Sequence, residues 1–83
     1  MDIIPFLKKL ADILRFHRKK AGLSRVEFGL LAGVGKTAIF DLEHAKPTVQ
    51  LDTLLKVLKA LNIQVKIESP LMELFQKESH EKG

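Results

Sequence analysis

The chain has no cysteine among its 83 residues. That excludes disulfides and thiolate metal sites and makes an intracellular setting the natural expectation. No apolar run approaches the ~20 residues needed to span a bilayer, and no signal-peptide pattern opens the chain. A cytoplasmic protein with no membrane partner is expected. His17, His44 and His80 lack metal-ligand spacing and no clustered carboxylate accompanies them, so neither a metal nor a cofactor is expected. Ser24 has no His/Asp set to activate it, and Gly29, Gly33 and Gly35 do not match a phosphate-loop spacing. With no catalytic constellation, a protein that is not an enzyme is expected. Repeats, low-complexity stretches and interior linkers are absent as well.

What is present is a hydrophobic content of 46% with 29% charge, which suits a globular domain and not a disordered tail. One domain of this size folds alone only marginally. The net charge of +4 is uneven: residues 1–24 carry six Lys/Arg against two Asp, residues 25–46 three of each sign, and residues 47–83 five of each. A modest positive balance is compatible with a polyanionic partner without requiring one.

The pattern predicts one domain over 1–83: a helical part over 5–62, a strand over 63–68, and a short helix with a mobile tail over 69–83. The first helix runs from Pro5, a good first-turn residue, to Ala21, with Leu7, Leu10, Leu14 and Ala21 inward and Gly22 as its stop. Two short helices follow, near 25–32 and 36–44. Pro47 separates them from a fourth near 51–61, where Leu51, Leu54, Leu55, Leu58 and Leu61 keep helical spacing and Asn62 can end it. Then the period changes. Ile63-Gln64-Val65-Lys66-Ile67-Glu68 alternates apolar and polar, a strand signal.

A lone strand cannot satisfy its own backbone, so Ile63, Val65 and Ile67 are expected to pair with the same segment of a second copy across a two-fold axis. An intramolecular pairing with Ile3-Ile4, or a frayed end, is the alternative. Ser69-Pro70 can begin a last short helix with Leu71, Met72, Leu74 and Phe75, and beyond Gln76 the tail is expected to be mobile. The apolar residues Ile3, Ile4, Phe6, Ile13 and Phe16 exceed what one helix face can bury, which suggests a further apolar contact.

Residues 22–45 form the most informative stretch. Ser24 can cap the first short helix, and Glu27, three residues on, can complete a capping box. Phe28, Leu31 and Ala32 follow at helical spacing, Gly33 allows a left-handed corner, and Gly35 lets the next helix begin with Ile39 and Leu42 as its buried stripe. Two helices joined by such a tight turn present the second of them to a groove, most often the major groove of DNA.

Arg18…Gly22-Leu23-Ser24-x-x-Glu27-Phe28…Ala32-Gly33-Val34…Ile39-x-x-Leu42-Glu43 resembles the helix-turn-helix family of phage repressors and Cro proteins, also called the XRE family, over residues 10–62. The continuation Lys46-Pro47-Thr48-Val49-x-Leu51-Asp52-Thr53-Leu54-Leu55-Lys56-Val57-Leu58-x-Ala60-Leu61, followed by a strand, is similar to the HipB-type antitoxins. The resemblance implies an all-α, phage-repressor-like domain of four to five helices with one C-terminal β-strand pairing across a homodimer. It also implies a palindromic operator on double-stranded DNA, repression of the protein's own operon and a HipA-type kinase toxin as partner. Arg18 and Glu43 would form a largely buried structural pair. The chain departs from the family pattern at Gly35, where Ser or Asn is usual, at Phe40 and Asp41, and at Ala45, where Gly is usual.

On the second helix of the unit, Lys36, Thr37, Phe40, Asp41 and His44 share the face opposite Ala38, Ile39 and Leu42. Lys36 can donate to guanine, Thr37 can bond a base or touch a thymine methyl, and Phe40 can pack on thymine methyls. Asp41 can either accept from cytosine or pair with Lys36 or Arg25. Arg25 and Lys46 are the best phosphate contacts, helped by free N–H groups near Ser24 and Gly35, with His44 as a further donor. The leading expectation is a sequence-specific repressor serving as the antitoxin of a toxin–antitoxin operon. The alternatives are a regulator without a toxin, and a protein-interaction module whose DNA binding is vestigial.

Overall fold

A computed structural model describes residues 3–82 of the chain. Five helices follow one another: α1 (Ile3–Lys20), α2 (Arg25–Ala32), α3 (Lys36–Glu43), α4 (Leu51–Ala60) and α5 (Met72–Lys82). The first four pack around one apolar centre made by Leu14, Phe28, Ile39, Leu42, Val57 and Leu58, with Leu10, Leu23, Val34, Leu54 and Ile63 against it.

Local chemistry sets both ends of α2. The Ser24 Oγ accepts from the Glu27 N–H at 3.1 Å while the Glu27 carboxylate accepts from the Ser24 N–H at 2.9 Å, so the expected capping box is complete. Gly33 ends α2 in the left-handed region at φ 76°, where its N–H reaches the Gly29 and Leu30 carbonyls. Gly29 has a different task. A Cβ there would stand 2.8 Å from the Val34 carbonyl oxygen, so only hydrogen lets α2 lie against the turn that leads into α3.

Several expectations need correction. Residues 63–68 form no strand. The alternative partner is gone because Ile3 and Ile4 open α1, and the dimer pairing expected of Ile63, Val65 and Ile67 has no counterpart within one chain. Ile63 instead leans on the core and donates its N–H to the Leu58 carbonyl at 2.9 Å, while Val65 and Ile67 stand 65% and 74% exposed. The polar tail expected beyond Gln76 is helical, since α5 continues to Lys82, supported by the i,i+4 spacing of Glu73 and Lys77. In α1 Ala11 is buried, while Ala21, expected on the inward face, lies exposed just beyond the helix. Along α4 Val57 and Leu58 are buried and Leu54 is half-buried, as is Leu61 just after it, which leaves Leu51 70% exposed and Leu55 outside with it. In both helices the packing angle of the neighbours selects one stripe from several that helical spacing allows.

Candidate nucleic-acid interface

The core fixes α3 from beneath. Ile39, Leu42 and Glu43 are buried, whereas Lys36, Thr37, Phe40 and His44 are exposed and Asp41 half-buried. Because the helix turns once every 3.6 residues, positions 36, 37, 40, 41 and 44 run along one side. Gly35 caps α3 without a side chain, so the N–H groups of the first turn point outward with the positive end of the helix dipole.

Beneath this row lies an arginine cluster on one carboxylate. Arg18 donates from Nε to Glu43 Oε2 at 2.6 Å and from Nη2 to Glu43 Oε1 at 3.0 Å, and Nη1 donates to the Leu23 carbonyl at 2.8 Å. Arg25 Nε adds a bond of 3.2 Å to Glu43 Oε1. Arg15 Nη2 donates to the Glu43 carbonyl at 3.4 Å, while its buried Nε lies 3.8 Å from Glu43 Oε1, too long for a hydrogen bond. Burial pushes the Glu43 carboxyl up, but the hydrogen bonds and charge of Arg18, followed by those of Arg25, hold it below its ordinary value. The bond to Glu43 in turn raises Arg18 against the opposing effect of burial. One buried carboxylate thus ties α1, α2 and α3 together, and it does so at the end of the outward-facing helix.

The outer row is itself ordered. The Phe40 and His44 rings stack with centroids 3.8 Å apart at 21°. The Arg25 guanidinium carbon lies over the Phe40 ring, 5.3 Å from its centroid. His44 Nδ1 stands 2.7 Å from the Phe40 carbonyl; a carbonyl only accepts, so Nδ1 carries the proton in this bond. Arg25, Lys36, Thr37 and Phe40 line a shallow depression of about 380 Å³ at the start of α3.

The residues expected to meet phosphate differ in their freedom. Lys36 is exposed. Arg25 has its Nε committed to Glu43, leaving the other guanidinium edge for a ligand. Lys46 Nζ lies 3.6 Å from Asp41 Oδ2, so Asp41 pairs with Lys46 and not with Lys36 or Arg25, the two partners sequence reasoning considered. At Ser24 the N–H is already taken by Glu27, whose carboxylate puts a negative charge at the head of α2. The Ser24 backbone N–H first and the hydroxyl second hold the Glu27 carboxyl below its ordinary carboxylate value. Sequence reasoning missed Arg15 and the link from Arg25 to Glu43; these contacts join residues 28 and 18 positions apart, and no local pattern signals them.

Two capped helices meeting at a left-handed glycine, with the second one's polar side turned outward over an apolar floor, define a helix-turn-helix protein. The helix-turn-helix family pattern matches residues 14–66. A relative described as "Uncharacterized HTH-type transcriptional regulator y4mF", from Sinorhizobium fredii (strain NBRC 101917 / NGR234), is 40% identical over 67 residues, covering 77% of this chain and 88% of the relative. A solved structure described as "MDT Protein" shares the fold with a TM-score of 0.68 at 20% identity, over 77% of this chain and 90% of the other. The chain belongs to the XRE-type helix-turn-helix family. Among the described residues no helix is long and apolar enough to cross a membrane, and no group of three or more His, Cys, Asp and Glu could hold a metal ion.

Proposed function

We propose that this protein is a transcriptional regulator that binds double-stranded DNA through α3. The observation that carries the reading is the exposed row Lys36, Thr37, Phe40 and His44 on a helix whose other side is locked into the core. Lys36 and Thr37, in the first turn, are the base-edge contacts together with Phe40; Asp41 joins them only if Lys46 lets go. Arg25, Lys46, His44 and the N–H groups after Gly35 face the sugar-phosphate backbone. The fragment upstream of the protein's own gene is the ligand to test, by gel retardation at low salt. Retardation resistant to competitor DNA supports the reading, and no retardation of any such fragment overturns it.

The regulator acts as a homodimer on a palindromic operator, with two α3 helices about 34 Å apart. Support comes from Val65 and Ile67, which alternate with polar residues, stand exposed and have no partner strand among the described residues. The finer role is that of a HipB-type antitoxin that represses its operon and holds a HipA-type kinase toxin. The support is the similarity of residues 46–67 to that group. Co-purification with the product of an adjacent kinase-like gene tests it, and an operon with no such gene sinks it.

A further inference from the structure

The structure carries one wholly apolar side chain on the outward side of α3, and its surroundings limit what it can touch. Phe40 is 47% exposed. The His44 ring stacks on it with centroids 3.8 Å apart, and the Arg25 guanidinium carbon lies over it, 5.3 Å from its centroid. With both groups packed against it, the ring turns its hydrocarbon edge to a ligand. The His44 ring is held in turn by its bond to the Phe40 carbonyl, and Arg25 by its bond to Glu43, so the edge is presented in one orientation before any ligand arrives.

A major groove displays donors, acceptors and one kind of apolar group, the methyl on C5 of a pyrimidine. A hydrocarbon edge pressed against donors and acceptors would leave them unpaired, at a cost. We infer that Phe40 determines specificity by packing its ring edge on a pyrimidine 5-methyl group, held to that task by the Arg25–Phe40–His44 stack. The inference rests on the DNA-binding reading above. It deepens that reading by naming the chemical group recognised, which occurs in thymine and in 5-methylcytosine alike.

The test uses the footprinted operator duplex, synthesised with deoxyuridine in place of thymidine one position at a time, and measures binding by fluorescence anisotropy. Removing one methyl at the contacted position is expected to weaken the wild-type protein about fourfold per half-site. Phe40→Ala, at an exposed site, is expected to keep the wild-type thermal melt, bind more weakly, and no longer distinguish the two bases. Where the operator has cytosine in register with Phe40, adding a 5-methyl group is expected to tighten wild-type binding and leave Phe40→Ala unchanged. If wild type binds the operator specifically yet is indifferent to every substitution, the methyl inference is wrong and the DNA-binding reading stands. Sensitivity that persists in Phe40→Ala overturns the inference as well. If no duplex binds, both fall.

Discussion

Arg18 clasps Glu43 in a two-pronged, charge-assisted grip of 2.6 and 3.0 Å, joining the last turns of α1 to the last residue of α3. Removing one partner strands the other in a buried site. Arg18→Ala and Glu43→Ala are each expected to lose about 3–5 kcal/mol of stability. Urea unfolding followed by circular dichroism reads this directly. A loss below about 1 kcal/mol would show that the pair is not structural.

The same carboxylate predicts an acid limb. The pKa of Glu43 in the folded protein lies below the ordinary Glu value because Arg18 and Arg25 outweigh burial. A group lowered on folding contributes stability that is fully present above the unfolded value, about 4.3, and is lost as pH falls through the lower folded value. Glu27, lowered by its capping box, acts in the same direction. Melting temperature is expected to fall with pH below about 4 in the wild type. In Glu43→Gln the fall should be shallower but not abolished, since Glu27 remains.

Two backbone positions test the corner geometry. Gly29→Ala would drive a Cβ to 2.8 Å from the Val34 carbonyl, and the backbone must shift to admit it. A destabilisation of about 1–3 kcal/mol is expected. Ala45 lies at φ 58°, a conformation that glycine adopts without strain. Ala45→Gly should therefore stabilise the protein by up to about 1 kcal/mol, read as a rise in the urea midpoint.

Lys36 separates binding from folding, whereas Arg25 serves both. Lys36→Ala is expected to weaken operator binding while leaving the thermal melt unchanged. Arg25→Ala should weaken binding and lower the slope of affinity against salt by about 1 per phosphate lost. It should also cost some stability, because the same guanidinium holds Glu43. Wild-type binding in both variants would remove α3 from the interface.

The segment after α4 bears on assembly. If the proposed dimer pairs through residues 63–68, Val65→Asp is expected to shift sedimentation from dimer to monomer, since a carboxylate at this exposed position opposes two-fold pairing. A wild type that sediments as monomer at micromolar concentration disposes of the shared sheet.

Chemistry confined to a few neighbouring residues could be read directly along the chain. The capping box of Ser24 and Glu27 and the left-handed Gly22, Gly33 and Asn62 all depend on a side chain or φ angle within one helical turn. So does the outward run from Lys36 to His44, because helical spacing alone puts those positions together. Partnerships across space were another matter. Which of Leu51, Leu54, Val57 and Leu58 face inward was decided by how α4 meets α2 and α3, and which cations reach Glu43 by where α1 and α2 deliver Arg15, Arg18 and Arg25. Residues 63–68 mark the limit. Alternation states that they can be a strand, but a strand is a hydrogen-bonded relation between two segments, and the described residues supply no second one.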